Sequence, residues 1–287
     1  MIRNTGSSNG FKPYKKKNMQ NTDIAFSPCP NDTFIFHAMI KGLVDTAPFC
    51  FTPHLMDVET LNTKAFSGEF AVTKLSFFAF LLLKHKYEML AAGAAMGHGC
   101  GPLVVAKDPL VNLSGARVAV PGKYTTAHLL FRLWYGEAAN VEITPYEKIL
   151  PGVCDGTWDA GVIIHEGRFV YPRYGCAQII DLGRWWEEKT RLPIPLGCIA
   201  VRKDPEILAH KEHLAAMIRS SISHARKHPE SCRDFIRQHA QEIDDRVTKQ
   251  HIRLYVNDYT LSPGKAGWQA IEKLEQTARC QNIIESA

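Results

Sequence analysis

The chain has 287 residues, of which 45% are hydrophobic and 22% are charged, and its formal net charge is +5. This length and apolar content allow a sizeable core in two domains or one large one, as expected of a globular protein. The weak basic excess comes partly from Lys12, Lys15, Lys16 and Lys17 and does not indicate a nucleic-acid partner. The apolar run Leu75–Leu83 is too short to cross a bilayer, so we expect no membrane partner.

The eight cysteines are spread along the chain, at positions 29, 50, 100, 154, 176, 198, 232 and 280. No pair has the C-x-x-C spacing, so the pattern favours free thiols in a reducing compartment, the cytoplasm, over a disulfide scaffold or a zinc site. The first 21 residues are polar and lack the apolar segment of a secretion signal. We expect a disordered tail over residues 1–21.

After this tail, apolar runs of strand type alternate with helical patterns, which is typical of an α/β fold with parallel or mixed sheets. A first block predicts strands over residues 24–28, 49–57 and 70–75, and helices over residues 31–41, 58–68 and from 76 onward. The segment Pro102–Pro109 then has the pattern of a long strand leaving this block.

A second α/β block covers residues 116–191, and the strand-like segment Leu196–Pro205 follows it. This segment resembles Pro102–Pro109, since both have a β-rich run, a basic residue and then Asp-Pro. Two such segments around one block predict crossover strands between two lobes, and the remaining residues have helical periodicity. We expect lobe 1 to contain residues 22–104 and 201–287, and lobe 2 to contain residues 105–200.

Ligands of open α/β sheets bind at the carboxyl ends of strands, and four predicted strand ends carry suitable polar residues. At the first, Asn31 or Asp32 can cap the following helix and Thr33 offers a hydroxyl in its first turn. At the second, the sequence Lys74-Leu75-Ser76 ends a strand and places its serine at a helix start. A helix cap explains each of these strand ends at least as well as a ligand contact does.

The third strand end places Thr125 and Thr126 at the start of an apolar helix. Two hydroxyls beside the unpaired N–H groups of a helix start make a good site for a carboxylate or a phosphate. The segment is not a P-loop, because Tyr124 replaces the Ser/Thr after Gly-Lys and Arg117 stands at the position of the first glycine.

The fourth strand end is the sequence IIHEGRF, in which an apolar run ends at His165, Glu166 and Arg168. It is not the zinc motif H-E-x-x-H, because Phe169 occupies the last position. A histidine beside an anion site can act as a general base near neutral pH. It can equally cap a turn, with Glu166 and Arg168 in ion pairs, and the pattern alone does not decide between the two.

Other histidines and one cysteine are weaker candidates for a functional site. The pairs His210/His213 and His224/His228 have spacings that allow metal binding, but they lie on a polar helix, so a solvated face is the better interpretation. Cys29 stands between two prolines, where packing is the commoner role of a cysteine. We expect no metal site.

Several motifs together closely resemble the 1,4-dihydroxy-6-naphthoate synthase family, the lyases of the menaquinone pathway that work downstream of futalosine. The blocks that carry the resemblance occur in order from about Asp23 to the carboxy-terminal helices: FSPCPNDTFIFHAMIKG, DVETLN, TKLSFFAF, GPLVVAK, VAVPGKYTTAHLL, GVIIHEGRFVYPRYG, DLGRWWEEKTRLPIPLG and HPE. The extended amino terminus is the one clear departure.

The resemblance implies a two-lobed fold of the periplasmic-binding-protein type (type II) with two crossover strands. It also implies cleavage of cyclic dehypoxanthinyl futalosine into 1,4-dihydroxy-6-naphthoate and dihydroxyacetone, without metal or organic cofactor. It assigns the proton acceptor to His165. The substrate contacts that it implies are Lys74, Leu75, Ser76, Thr125 and Thr126, and it leaves Asp32, Thr33 and Glu166 as neighbours of the site.

Two other functions fit the same fold. A solute-binding protein would bind a carboxylate and perform no chemistry, although the polar amino terminus argues against it. A related lyase or dehydratase would act on chorismate, but we do not expect the IIHE and WWEE blocks together in such an enzyme. A metal-dependent hydrolase is a further alternative, and it would lose activity on treatment with a chelator.

Overall fold

The computed structural model describes residues 19–137, 139–240 and 244–285. The predicted tail therefore lies outside the described residues, except for residues 19–21, and β1 already begins at Gln20. The strands in these ranges are β1 (Gln20–Phe26), β2 (Phe49–Leu55), β3 (Val72–Ser76), β4 (Tyr87–Met89), β5 (Ala95–Gly97), β6 (Leu103–Ala106), β7 (Arg117–Val120), β8 (Asn140–Ile143), β9 (Ala160–Ile163), β10 (Ala177–Asp181) and β11 (Ile194–Arg202).

The same ranges also contain α-helices. They are α1 (Pro30–Ile40), α2 (Val58–Ser67), α3 (Phe77–Leu82), α4 (Thr126–Tyr135), α5 (Tyr146–Asp155), α6 (Gly167–Val170), α7 (Leu182–Thr190), α8 (Pro205–Leu208), α9 (Lys211–Lys227), α10 (Arg233–His239), α11 (Asp245–Tyr255), α12 (Asp258–Leu261) and α13 (Gly264–Cys280). No helix in the described part of the chain is long and apolar enough to span a membrane.

Two mixed sheets form the framework. The first sheet has the order β2-β1-β3-β11-β4, with β5 also paired to β11, and the second has the order β10-β6-β9-β7-β8. Each sheet contains three parallel strands joined by helices, β1-α1-β2-α2-β3 in the first and β7-α4-β8-α5-β9 in the second. Each parallel set is flanked by an antiparallel neighbour, β11 beside β3 and β6 beside β9. The molecule is thus a two-lobed α/β protein with one sheet in each lobe.

Local sequence explains where these elements start and stop. The Asp57 carboxylate accepts the backbone N–H groups of Glu59 and Thr60, which caps α2. Gly68 ends the same helix in the left-handed conformation, at φ 74°, which glycine adopts without a steric penalty. The strand and helix alternation read from the sequence therefore matches the structure closely in this region.

Within the described residues the chain crosses between the sheets twice, once between β5 and β6 and once between β10 and β11. The two predicted crossover strands lie in different sheets, since β6 pairs with β9 and β10 while β11 pairs with β3, β4 and β5. The predicted lobe bounds at 104/105 and 200/201 pass through β6 and β11, respectively. Those bounds stay a prediction, and sheet membership supports moving both to the residues just before each strand.

Two other features differ from the sequence-based expectation. The strand expected over Pro102–Pro109 is only four residues long, because Asp108 begins a turn in which its side chain accepts the N–H of Leu110. The helical region after Asp204 is divided into α8 and α9, separated at Ala209 and His210. Strands β4 and β5 are each three residues long, which is too short for a recognisable pattern.

The largest buried cluster is continuous between the lobes. It contains Phe77 and Phe80 of α3 on the first-sheet side, and Leu130 and Phe131 of α4 on the second-sheet side. Trp186 of α7, only 1% exposed, belongs to the same cluster and donates its indole N–H to the Pro193 carbonyl. The two lobes are therefore packed together around the cleft in this structure.

Candidate active site

The strand ends of both sheets face one cavity. In each parallel set the strand order reverses beside the first strand, between β1 and β3 and between β7 and β9, and open α/β sheets bind ligands at such positions. The space between the walls of this cavity is about 630 Å³ when the solvent-open part is counted. It is lined by Ser27, Asn31, Asp32, Val58, Lys74, Ser76, Ala95, Cys100, Pro102, Thr125, Thr126, Ala127, Ile164, His165, Leu196, Gly197 and Tyr255.

A buried ion pair forms the floor on the first-sheet side. The Lys74 ammonium donates to Asp32 Oδ1 at 2.8 Å, and their side chains are 5% and 1% exposed. Asp32 Oδ2 accepts from the Ser27 hydroxyl at 2.7 Å, and Asp32 Oδ1 also accepts from the Asn31 amide at 2.8 Å. In this network Asp32 compensates the charge of Lys74. The hydrogen bonds to Asp32 also hold the turn between β1 and α1.

The sequence Lys74-Leu75-Ser76 ends β3, where successive side chains point to opposite faces. Lys74 and Ser76 line the cavity, whereas Leu75 is fully buried in the core. Asn62 binds Ser76 twice, donating to its hydroxyl at 3.1 Å and accepting its N–H at 2.9 Å. A substrate contact through Leu75 stays a prediction and would have to involve its backbone.

The threonine pair starts α4 on the second-sheet side. Thr125 caps the helix by accepting the N–H of His128 at 3.2 Å, and it donates to the Gly122 carbonyl at 2.9 Å. The Thr126 hydroxyl donates to the Leu196 carbonyl of β11 at 2.7 Å. Both hydroxyls are thus engaged within the protein, so the groups that a helix start leaves for a ligand are the first backbone N–H groups.

His165 follows β9 with a backbone φ of 53°, a left-handed conformation that is uncommon for residues other than glycine. Its Nδ1 lies 3.5 Å from the sulfur of Cys29, and its ring meets the Tyr146 ring edge to face at 5.1 Å. Burial lowers the His165 pKa from 6.5 to about 4, and the nearby Lys74 charge acts in the same direction while Asp32 opposes it. The imidazole is therefore neutral at pH 7.

Two residues near this histidine were not predicted from the sequence. His251 of α11 is completely buried, lies 6.1 Å from His165 between ring centres, and contacts Asn31 Oδ1 through Nε2 at 2.9 Å. Tyr255 lines the cavity one turn further along α11. The signal was the four-residue spacing of Val247, His251 and Tyr255, which places a histidine on the apolar face of a helix.

The predicted neighbours Thr33 and Glu166 do not line the cavity, and neither does Arg168. Thr33 is buried in the first turn of α1, where its hydroxyl donates to the Cys29 carbonyl at 3.0 Å. Arg168 forms an ion pair with Asp181 and donates to the Gly101 carbonyl, so it joins the segments at the two crossings. Glu166 lies beside His165 in sequence, outside the set of residues that line the cavity.

The described residues offer neither a metal-binding cluster nor a disulfide. The described residues contain no group of three or more His, Cys, Asp or Glu side chains placed to hold a metal ion. All eight cysteines lie within the described residues, and each is a free thiol. The main polar groups of the cavity are thus a neutral imidazole, a helix start and a buried ion pair. The side chains around them are largely apolar, which suits an aromatic ligand.

The sequence profile of a family described as menaquinone biosynthesis matches residues 22–279. A curated relative from Thermus thermophilus, named 1,4-dihydroxy-6-naphthoate synthase, is 46% identical over 266 residues, 92% of this chain and 96% of the relative. The chain belongs to the menaquinone biosynthesis family. The cavity and its four strand ends lie entirely within the matched residues of this family.

Solved structures agree with the two-lobed architecture. A crystal structure of a protein from Archaeoglobus fulgidus has a TM-score of 0.87 and 38% identity, with 92% of this chain and 98% of that chain covered. The alkanesulfonate-binding protein SsuA of Xanthomonas axonopodis has a TM-score of 0.67 at 11% identity, covering 93% and 94%. The second likeness shows the fold alone: this member of the menaquinone biosynthesis family has the periplasmic-binding-protein-like fold.

Proposed function

We propose that this protein is a 1,4-dihydroxy-6-naphthoate synthase, a carbon–carbon lyase of the futalosine pathway. Its substrate is cyclic dehypoxanthinyl futalosine, and its products are 1,4-dihydroxy-6-naphthoate and dihydroxyacetone. The observation that carries the proposal is the neutral His165 imidazole at the wall of a mainly apolar cavity that also contains a helix start. The name of the curated relative supports the same assignment.

The substrate carboxylate is proposed to bind at the start of α4. The N–H groups of Thr126 and Ala127 occupy the first turn, where a helix provides no carbonyl partner and its dipole favours an anion. Ser76 and Lys74 lie on the opposite wall, from the first sheet. The apolar side chains of Val58, Ile164, Leu196 and Tyr255 then surround the fused rings.

His165 is proposed to take the proton of a sugar-derived hydroxyl. The resulting alkoxide becomes a carbonyl as the adjacent C–C bond breaks, and that electron pair passes into the ring, which becomes aromatic. The proton held by His165 then returns to the product, which regenerates the neutral base. The reaction moves protons and an electron pair within one molecule, so it requires no external oxidant or reductant, and we propose that it needs neither a metal nor an organic cofactor. A positioned general base typically contributes about 10²–10⁴-fold to such a rate.

The direct test is to incubate the purified protein with cyclic dehypoxanthinyl futalosine and follow dihydroxynaphthoate by its absorbance. His165→Gln keeps a polar side chain of similar size and is expected to lower kcat by about 10²–10⁴-fold. Treatment with a chelator is expected to leave turnover unchanged. Absence of product from well-folded protein would reject the assignment.

Two alternative functions are separated by the same assay. Turnover of chorismate in place of the futalosine derivative would indicate the related lyase or dehydratase. Tight binding of a carboxylate without turnover, unchanged in His165→Gln, would indicate a solute-binding protein. The free cysteines support a cytoplasmic site of action, which we include in the proposal.

A further inference from the structure

One contact across the cleft joins the side chains of Cys29 and His165. Cys29 is the residue that precedes α1 in the lobe of the first sheet, and His165 follows β9 in the lobe of the second. The Cys29 sulfur lies 3.5 Å from Nδ1 of the imidazole, within hydrogen-bond distance for sulfur. Among the described residues, the hydrogen-bond partner of the His165 ring is this sulfur.

We propose that Cys29 is the positioning residue of His165: its sulfur accepts Nδ1–H and thereby leaves Nε2 as the unprotonated nitrogen. A neutral imidazole carries one proton, and the hydrogen bond at one nitrogen decides which tautomer is present. If Cys29 instead donated its S–H to Nδ1, the proton would sit on Nε2, and that nitrogen could not act as a base. The inference rests on the proposed function, in which His165 takes the substrate proton.

A buried network holds the backbone of Cys29. The Cys29 N–H donates to the Ser27 hydroxyl at 3.4 Å, and that hydroxyl donates to Asp32, which is itself paired with Lys74. Thr33 donates to the Cys29 carbonyl. Prolines at positions 28 and 30 restrict the backbone on both sides. The backbone position from which the Cys29 side chain extends is therefore fixed within the first lobe.

The imidazole is restrained from the other side. Its backbone has a strained left-handed φ of 53°, and such outliers persist only where the surrounding structure imposes them. The centre of the ring lies 5.1 Å from that of Tyr146 and 6.1 Å from that of His251. These ring contacts restrain the imidazole without choosing between its tautomers, and in the proposal that choice comes from the hydrogen bond with sulfur.

A thiol suits this position because it is uncharged. Burial raises the pKa of Cys29 well above 9, and the negative charge of Glu166 adds to this, so the sulfur remains a thiol at neutral pH. A thiolate would form an ion pair with an imidazolium, which has no free nitrogen to accept a proton. A carboxylate at the same place would favour the protonated imidazole in the same way. The neutral sulfur orients the base without protonating it.

The test uses the full-length protein with Cys29→Ala and Cys29→Ser. Cys232→Ala is the matched control, because Cys232, like Cys29, is a buried thiol. Its hydrogen bond goes to the Pro229 carbonyl, and it lies outside the cavity. The primary readout is the ¹⁵N spectrum of histidine-labelled protein, with the His165 signals identified by their loss in His165→Gln. Wild type and the control are expected to show Nδ1–H, and Cys29→Ala is expected to show a substantial Nε2–H population.

Kinetics provide the second readout. Cys29→Ala is expected to lower kcat by about 3–10-fold with little change in KM, since the hydrogen bond to sulfur is a weak one. Cys29→Ser is expected to recover much of kcat, because its oxygen can accept the same N–H. An Nε2–H tautomer in the wild-type protein, or an unchanged tautomer in Cys29→Ala, would overturn the proposal.

The two readouts separate this inference from the proposed function. The tautomer is measured without substrate, so it tests the role of Cys29 even if the futalosine derivative is not turned over. Wild-type NMR also remains decisive if Cys29→Ala fails to fold. The groups that stay unchanged in these variants include the charges that act on the imidazole, Asp32, Asp57 and Lys74, and the rings beside it, Tyr146 and His251.

Discussion

The carboxylate of Glu59 accepts the backbone N–H of Tyr124 at 3.0 and 3.1 Å, linking α2 of one lobe to the loop before α4 of the other. Burial raises the pKa of Glu59, with its hydrogen bonds to Asn62 and to the Tyr124 loop acting in the opposite direction. The aromatic ring of Tyr124 also meets Phe66 at 4.5 Å. This contact closes the cleft beside the predicted carboxylate site.

Glu59→Ala should therefore weaken the closure of the cleft between the two lobes. Loss of a hydrogen bond to a charged group costs about 1.5–3 kcal/mol, so kcat/KM is expected to fall by about 10–100-fold, mainly through KM. Steady-state kinetics measure this, and small-angle scattering should show a larger radius of gyration. Glu206→Ala, an exposed glutamate of α8, serves as the control and should leave both unchanged. A kcat loss at constant KM would contradict this role.

The Asp32–Lys74 pair should be important for stability. Asp32→Asn leaves the Lys74 ammonium buried without its counter-charge, which typically costs about 3–5 kcal/mol. Urea unfolding measures the change. The double variant Asp32→Asn/Lys74→Met removes the unpaired charge and should recover part of the loss. If the unfolding free energy of Asp32→Asn lay within about 1 kcal/mol of the wild-type value, the Asp32–Lys74 pair would not be important for stability.

The pH dependence of turnover should reflect the lowered His165 pKa. The base is active when neutral, which holds above its pKa, so kcat/KM should stay level from pH 7 to pH 5 and fall only as pH approaches about 4. An NMR titration of His165 should give the same midpoint over the range in which the protein stays folded. An acidic limb near pH 6.5, the ordinary value for histidine, would argue against burial as the controlling influence.

Gly101 and Gly183 lie in close contact near the two crossings between the sheets, where there is no room for an added side-chain atom. A Cβ on Gly101 would lie 2.3 Å from backbone atoms of Gly183, so Gly101→Ala must push the crossings apart. We expect a loss of about 1–3 kcal/mol in unfolding free energy. Gly167→Ala is the matched control, because its Cβ would make contacts of 3.4 Å and longer, without a positive φ. Equal melting temperatures for the two variants would contradict this account.

Much of the site was readable from local sequence. The alternation in Lys74-Leu75-Ser76 separates cavity residues from core, and the Thr125 cap marks the start of α4, because side-chain direction and helix capping depend on near neighbours. The polar end of the β9 run likewise pointed to His165. Long-range partners have no such local pattern: Asn31 and His251 are 220 residues apart, yet their side chains are hydrogen-bonded.

The sequence by itself determined the α/β alternation, the strand ends that carry polar residues and the family to which the chain belongs. Only the tertiary structure decided that the threonine hydroxyls are already engaged, that β6 and β11 join different sheets, and that the Cys29 sulfur meets His165. The physical reason is that element type follows from periodicity within one segment. Contacts across the cleft depend instead on how two separately formed sheets are packed together.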